Sequence, residues 1–147
     1  MKTGIRDFRK TDMGRILGYR EKTARISFPG RKMDMEKCRK SMLLQMRRNP
    51  GTIKVAEAEG RTVGYISFGP RKGSLGVHGR INTIFVEEKY RKHGIGEMLL
   101  KEAEKWFRSH GIMRMEAVVT DTNSRSMDFF KSQKFREKRT VLEKSCR

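Results

Sequence analysis

Apolar positions change their spacing several times along the chain, and each change marks an element. Ile5 and Phe8, within residues 2–9, fit a short opening strand. Met13, Ile16 and Leu17 then recur at helical spacing after Thr11-Asp12, a pair suited to starting a helix. A second helical pattern runs through Met35, Cys38, Met42, Leu43 and Met46, with Asp34 placed to cap it and Asn49-Pro50-Gly51 to stop it. The period then falls to two. Residues 52–58 and 61–68 alternate on either side of Glu59-Gly60, which predicts a hairpin. Gly69-Pro70 and the glycine-rich residues 71–79 read as a turn or mobile loop, and 81–86 as a β-branched strand. Ile95, Met98, Leu99, Ala103, Trp106 and Phe107 share one face of a helix that ends near His110-Gly111. A strand over 112–120 follows. Thr122 or Asn123 opens another helix with Met127, Phe129 and Phe130, and 136–143 reads as a last strand. The order β-α-α-β-β-β-α-β-α-β predicts a single α/β domain over residues 1–147, built on a mixed sheet.

Charge adds a partner class to that outline. The 147 residues carry 35 Lys/Arg against 17 Asp/Glu, a formal net charge of +18. Such a surface attracts phosphorylated cofactors, RNA, acidic peptides or anionic lipid, and it is equally compatible with a merely solvated basic face. The excess is uneven, with 19 Lys/Arg against 7 Asp/Glu in residues 1–73 and 16 against 10 in the remainder. Cys38 and Cys146 are the only cysteines, and neither has a Cys/His cluster around it. A disulfide framework and a zinc site are both disfavoured, and no metal is expected. Neither a signal-peptide core nor a stretch of membrane-spanning length occurs, so the expectation is a soluble cytoplasmic protein with no membrane contact.

The segment YRKHGIGEMLL (90–100) carries the sharpest chemistry. A strand running into a turn and then a helix leaves successive backbone N–H groups unpaired, and the helix adds positive potential at its start. Glycine at 94 and 96 would let an oxygen approach without a Cβ in the way. A Walker phosphate loop needs a Gly-Lys-Ser/Thr ending, which is absent. A dinucleotide fingerprint needs a third small residue where Leu99 stands. The pattern Arg/Gln-x-x-Gly-x-Gly/Ala fits at every fixed position, from Arg91 to Gly96.

In that context residues 81–96 (INTIFVEEKYRKHGIG) resemble the fourth strand and pyrophosphate loop of the GNAT (Gcn5-related N-acetyltransferase) superfamily. Residues 123–135 (NSRSMDFFKSQKF) resemble its Asn-x-x-Ala-x-x-Phe-Tyr-x-Lys-x-Gly-Phe segment. The resemblance implies a mostly antiparallel twisted sheet flanked by about four helices, and acetyl-CoA as acyl donor without a metal. It implies that backbone groups of Ile84, Phe85 and Val86 pair with the pantetheine arm. Amides of Arg91, Lys92, His93, Gly94, Ile95, Gly96 and Glu97 would cradle the pyrophosphate. Asn123 would hydrogen-bond the cofactor, and Phe129 and Phe130 would line its thiol end. The reaction implied is direct attack of an amine on the thioester in a ternary complex, with an N–H near Val86 stabilising the oxyanion.

Three departures stand out. Phe130 occupies the position where the family often has a tyrosine suited to protonating the leaving sulfur. Lys134 replaces the glycine before Phe135, so the turn there must differ or carry strain. Only twelve residues follow Phe135, which implies a shortened C-terminal strand region and an edge that a second subunit could cover as a homodimer. The general base is open. Glu57, Glu59, Glu87 and Glu116 are candidates, each also explicable as a solvated acid, and His78 and His93 lie in glycine-rich loops.

The family's two N-terminal helices usually wall the acceptor site, and here residues 1–50 hold 15 Lys/Arg against 5 Asp/Glu. A polyamine fits such a wall poorly. An acidic or neutral peptide N-terminus, a small amino compound or a protein docked on RNA fits better, so the acceptor class is a primary amine on a peptide or protein N-terminus, a lysine or a small amino compound. The rival reading is a non-catalytic basic module on the same fold that associates with RNA or the ribosome. The aromatic-interleaved basic strands of an RNA-recognition sheet are missing, which counts against it.

Overall fold

The computed structural model describes all 147 residues. Five strands lie in the order β1 (Thr3–Asp7), β2 (Ile53–Ala58), β3 (Arg61–Gly73), β4 (Gly76–Val86) and β5 (Met115–Ala117). The first three pairings are antiparallel and only β4–β5 is parallel. Helices α1 (Met13–Ser27) and α2 (Met35–Arg48) cover one face; α3 (Ile95–Ser109) and α4 (Ser124–Ser132) cover the other. Strand alternation separates the two cores. Ile53, Val55 and Tyr65 bury against Ile16, Leu17 and Met42, while Ala56, Ala58, Ile66, Phe68 and Ile81 bury against Leu99, Ala103 and Phe107. The mixed, mostly antiparallel sheet with four helices is as expected.

Local signals placed most boundaries well. Asp34 caps α2 by accepting from the Lys37 N–H (3.0 Å), and Glu59-Gly60 forms the β2–β3 turn with both residues at positive φ (52° and 79°). Lys134 takes the left-handed conformation (φ 71°) that glycine usually supplies, so the turn is kept and the strain accepted.

Three expectations were wrong. Residues 71–79 are not a loop: β3 and β4 continue as a ribbon to a two-residue turn at Ser74-Leu75, with Gly73 opposite Gly76. Leu75 is 97% exposed, and a ribbon end with no core to bury has no apolar alternation to reveal it. The strand foreseen over 112–120 shrinks to Met115–Ala117. The strand foreseen over 136–143 does not form. A three-residue β5 offers almost no ladder to join, and Val141 and Leu142 stay exposed, although Arg139 reaches back to Glu116 (3.3 Å).

Candidate functional site

β4 holds the key to the site. Its partners on β3 run Ser67↔Thr83 and then Phe68↔Ile81, leaving Asn82 as the extra residue of a bulge. A bulge bends and twists its strand. Pairing with β5 stops at the same place, with Ile81↔Ala117 the last couple. Beyond it the two strands diverge and a notch opens between them.

The register also tells which peptide groups face that notch. The Glu87 N–H donates to the Val63 carbonyl (2.8 Å), which makes Tyr65↔Phe85 the pair that exchanges both ladder bonds. The N–H and C=O groups of Ile84 and Val86 therefore point away from β3, where β5 no longer offers partners. Phe85 differs from the expectation: its peptide groups belong to the ladder, and its ring stacks on Tyr19 (centroids 4.6 Å apart). One of the outward groups is already engaged, since Arg91 Nε–H donates to the Val86 carbonyl (2.7 Å). Arg91 thus ties the glycine loop to the strand end.

The loop itself is an open helix terminus. Lys92 and Gly94 both adopt positive φ (65° and 77°), which turns successive amides toward one side. The amides of residues 92 to 97 have no acceptor in the chain; the first intrahelical bond is Met98 N–H to the Gly94 carbonyl (3.0 Å). α2 and α4 are closed by the side chains of Asp34 and Asn123, but Gly94 has none to offer α3. The two glycines serve different ends. A Cβ at 94 would meet nothing within 4 Å, so Gly94 is needed for its conformation alone. A Cβ at 96 would stand 2.9 Å from the Phe129 ring, so Gly96 makes room for α4 rather than for an incoming oxygen.

Inside the notch lies a cavity of about 480 Å³. Its floor is Ile81, Asn82, Thr83 and Ile84, one wall is 117–120 with Asn123, Ser126 and Phe130, and the other is α1 with the turn into α2. Thr122 Oγ1 donates to the Ser27 carbonyl (3.2 Å) and joins the two walls. Phe130 is buried, edge-on to Phe129 (5.3 Å) and Phe135 (5.0 Å), and closes the cavity's inner end. Asn123 accepts from the Ser126 N–H (3.2 Å) as the cap of α4, which leaves its amide nitrogen free to donate.

A family profile described as the acetyltransferase (GNAT) family matches residues 19–135. The chain belongs to the GNAT acetyltransferase family. Solved GNAT-fold neighbours agree over nearly the whole length. AAC(6')-Iy in complex with the bisubstrate analogue CoA-S-monomethyl-acetylneamine has TM-score 0.75 at 20% identity, covering 100% of this chain and 99% of that one. The aminoglycoside 6'-N-acetyltransferase AAC(6')-Ih from Acinetobacter baumannii has TM-score 0.79 at 16% identity, with 98% of each chain covered. A predicted acetyltransferase from Clostridium acetobutylicum, solved with acetyl-CoA, has TM-score 0.78 at 15% identity, covering 98% and 96%. No curated protein matches this GNAT chain by sequence.

None of the carboxylates singled out as bases lines the GNAT cavity. Glu57 pairs with Arg6, which also holds Asp12 in a two-point contact (2.9 Å each) at the β1 side of the sheet. Glu59 sits exposed in its hairpin turn. Glu87 accepts from the Tyr19 hydroxyl and lies between Arg15 and Arg61 (3.5 Å each). Glu116 accepts from Arg80 (2.7 Å) and His78 (2.9 Å). Burial opposes its charge, but those two donors prevail and hold the carboxyl well below its ordinary value, at about 2. A carboxylate held so acidic is a poor base. His93 is an exposed residue of the glycine loop.

The residues that the sequence did not single out are the cavity's titratable ones, Arg20, Arg31 and Lys32. Arg20 also acts on the interior. Burial pushes the Tyr65 hydroxyl up to about 12 while the charge of Arg20 and a bond to Thr83 pull against it. Burial likewise raises the Cys38 thiol, and Arg20 again opposes the rise. The basic bias of residues 1–50 was visible, but nothing distinguished these three cations from their neighbours.

Proposed function

We propose that the protein is an N-acetyltransferase that moves an acetyl group from acetyl-CoA to a primary amine bound in the cavity. The observation that carries this reading is the run of six unpaired amides from residue 92 to 97, an anion cradle next to a strand edge with outward peptide groups. The pyrophosphate is assigned to that cradle and the pantetheine arm to the outward groups of Val86 and Ile84. An arm running from the loop into the notch meets Val86 first and Ile84 nearer the apex. The Ile84 N–H, rather than that of Val86, is therefore assigned to the thioester oxygen and its oxyanion.

In the reaction the amine lone pair attacks the thioester carbon and a tetrahedral oxyanion forms. Its collapse breaks the C–S bond, and the nitrogen's proton passes through water to the departing thiolate. The cavity contains no aspartate, glutamate or histidine to take that proton. Its three cations supply another means: like charge disfavours an ammonium, so the acceptor loses its proton more readily there than in water. Phe130 shapes the thiol end without donating a proton.

Thermal-shift titration with acetyl-CoA, CoA and ATP, followed by thiol-release assays over a panel of amines, tests the reading. Stabilisation by both CoA species, weaker stabilisation by ATP and turnover of a small amine are expected. Absence of stabilisation by either CoA species at millimolar concentration overturns the assignment of the loop. CoA binding without turnover of any amine instead favours the non-catalytic basic module.

A further inference from the structure

Four arginines are half-buried, and three of them are answered within the chain. Arg6 pairs with Asp12 and Glu57, Arg80 with Glu116, and Arg91 donates to the Val86 carbonyl. The half-buried Lys54 pairs with Asp7 (2.6 Å). Arg20 is the exception. It stands at the middle of α1, lines the cavity, and its side chain makes no ion pair or hydrogen bond, although its charge is felt at Tyr65 and Cys38. No buried side-chain nitrogen in the chain lacks a partner, so the Arg20 guanidinium opens onto the cavity, held by its half-buried stem and available to an oxygen anion there.

The surroundings define what that something is. Arg31 and Lys32 flank the same cavity and also lack acidic partners; Arg31 only stacks its cation over Phe28 (5.7 Å). The acids closest in sequence are otherwise placed. Glu21 pairs with Arg25, Asp34 caps α2, and Asp121 is outside the cavity. Between the cations and the floor run the apolar surfaces of Ala24, Phe28, Met33 and Ile84. The volume of about 480 Å³ has to hold both the thioester end and the part of the acceptor that enters, which favours a small acceptor.

Resting on the acetyltransferase reading, we infer that the acceptor is a small primary amine that also carries an anionic oxygen group, a carboxylate or a phosphate, which binds Arg20 with help from Arg31 and Lys32. A carboxylate neutralises one of the three cations and a phosphate up to about two, so a positive field remains to hold down the ammonium. A polycationic aminoglycoside, the substrate type named for several structural neighbours, meets repulsion from all three.

The test uses matched pairs with the intact protein. Thiol release from acetyl-CoA is measured for alanine, methionine and glutamate against their α-amides, for O-phosphoethanolamine against ethanolamine, and for kanamycin. The N-acetylated forms of the same compounds are titrated against the CoA complex by thermal shift. The anionic member of at least one pair is expected to win by about tenfold or more in kcat/KM or in affinity, the worth of one charge-assisted contact. The carboxylate and phosphate arms identify the source of the anion. Arg20→Gln should reduce that preference to within about threefold while stabilisation by acetyl-CoA persists. Equal use of charged and uncharged members, preference for kanamycin, or an unchanged preference in Arg20→Gln overturns the inference, as does no binding by any pair. Loss of CoA stabilisation in the wild-type chain sinks the enzyme assignment instead.

Discussion

Replacing Gly94 with alanine and, separately, with aspartate isolates what the loop does for an anion. Both side chains enter open space, since a Cβ at 94 meets nothing within 4 Å. Both must adopt φ near 77°, a left-handed conformation that costs an L-residue roughly 1–2 kcal/mol. For a chain of this length that corresponds to a fall in Tm of about 3–6 °C, shared by the two variants and somewhat smaller for aspartate. They differ in one charge. A carboxylate about 5 Å from a phosphate interacts at about 3 kcal/mol per unit charge if the effective dielectric constant is ~20. The loop is exposed at 92–94, so water and salt reduce the net penalty to about 1–2 kcal/mol, a loss of roughly 5- to 30-fold in affinity. Calorimetric titration with CoA at low and high salt measures it. Alanine should weaken binding only modestly, aspartate should weaken it well beyond alanine, and the gap should narrow at about 0.5 M salt. Equal affinities of the two variants at low salt would refute the placement of the pyrophosphate at these amides.

Two further outcomes check the frame around the site. Gly79→Ala pushes a methyl to 2.6–2.8 Å from three atoms of the Phe107 ring, which is wedged between Phe68 and Trp106, so a loss of about 2 kcal/mol is expected in urea denaturation. Phe107→Leu in the same chain should recover part of that loss, and strict additivity of the two substitutions would contradict the contact. Glu116 carries a depressed carboxyl, so the stability it contributes is complete above its ordinary value near 4.5 and lost as the pH falls toward 2. Glu116→Gln should therefore destabilise the protein at neutral pH, leaving His78, Arg80 and Arg139 facing one another, and the gap to wild type should shrink between pH 5 and pH 2; a gap independent of pH would count against the cluster.

What could be read from the chain alone depended on how local the requirement is. The glycine loop was legible because a turn into an amphipathic helix is encoded within a few residues, and so was the strained turn at Lys134. The cavity was not, because it arises where β4 bulges at Asn82 and β5 ends at Ala117, positions 35 residues apart whose divergence leaves no periodic trace. Residues 118–120 look like strand whether they pair with a neighbour or line a notch. The search for a base failed for a related reason. In a chain with 35 Lys/Arg and 17 Asp/Glu, a half-buried carboxylate readily finds a cation, and Glu57, Glu87 and Glu116 all did. A carboxylate here is therefore a weak pointer to chemistry. The informative residue is the half-buried cation that found no acid, and only the assembled fold shows that Arg20 is that residue.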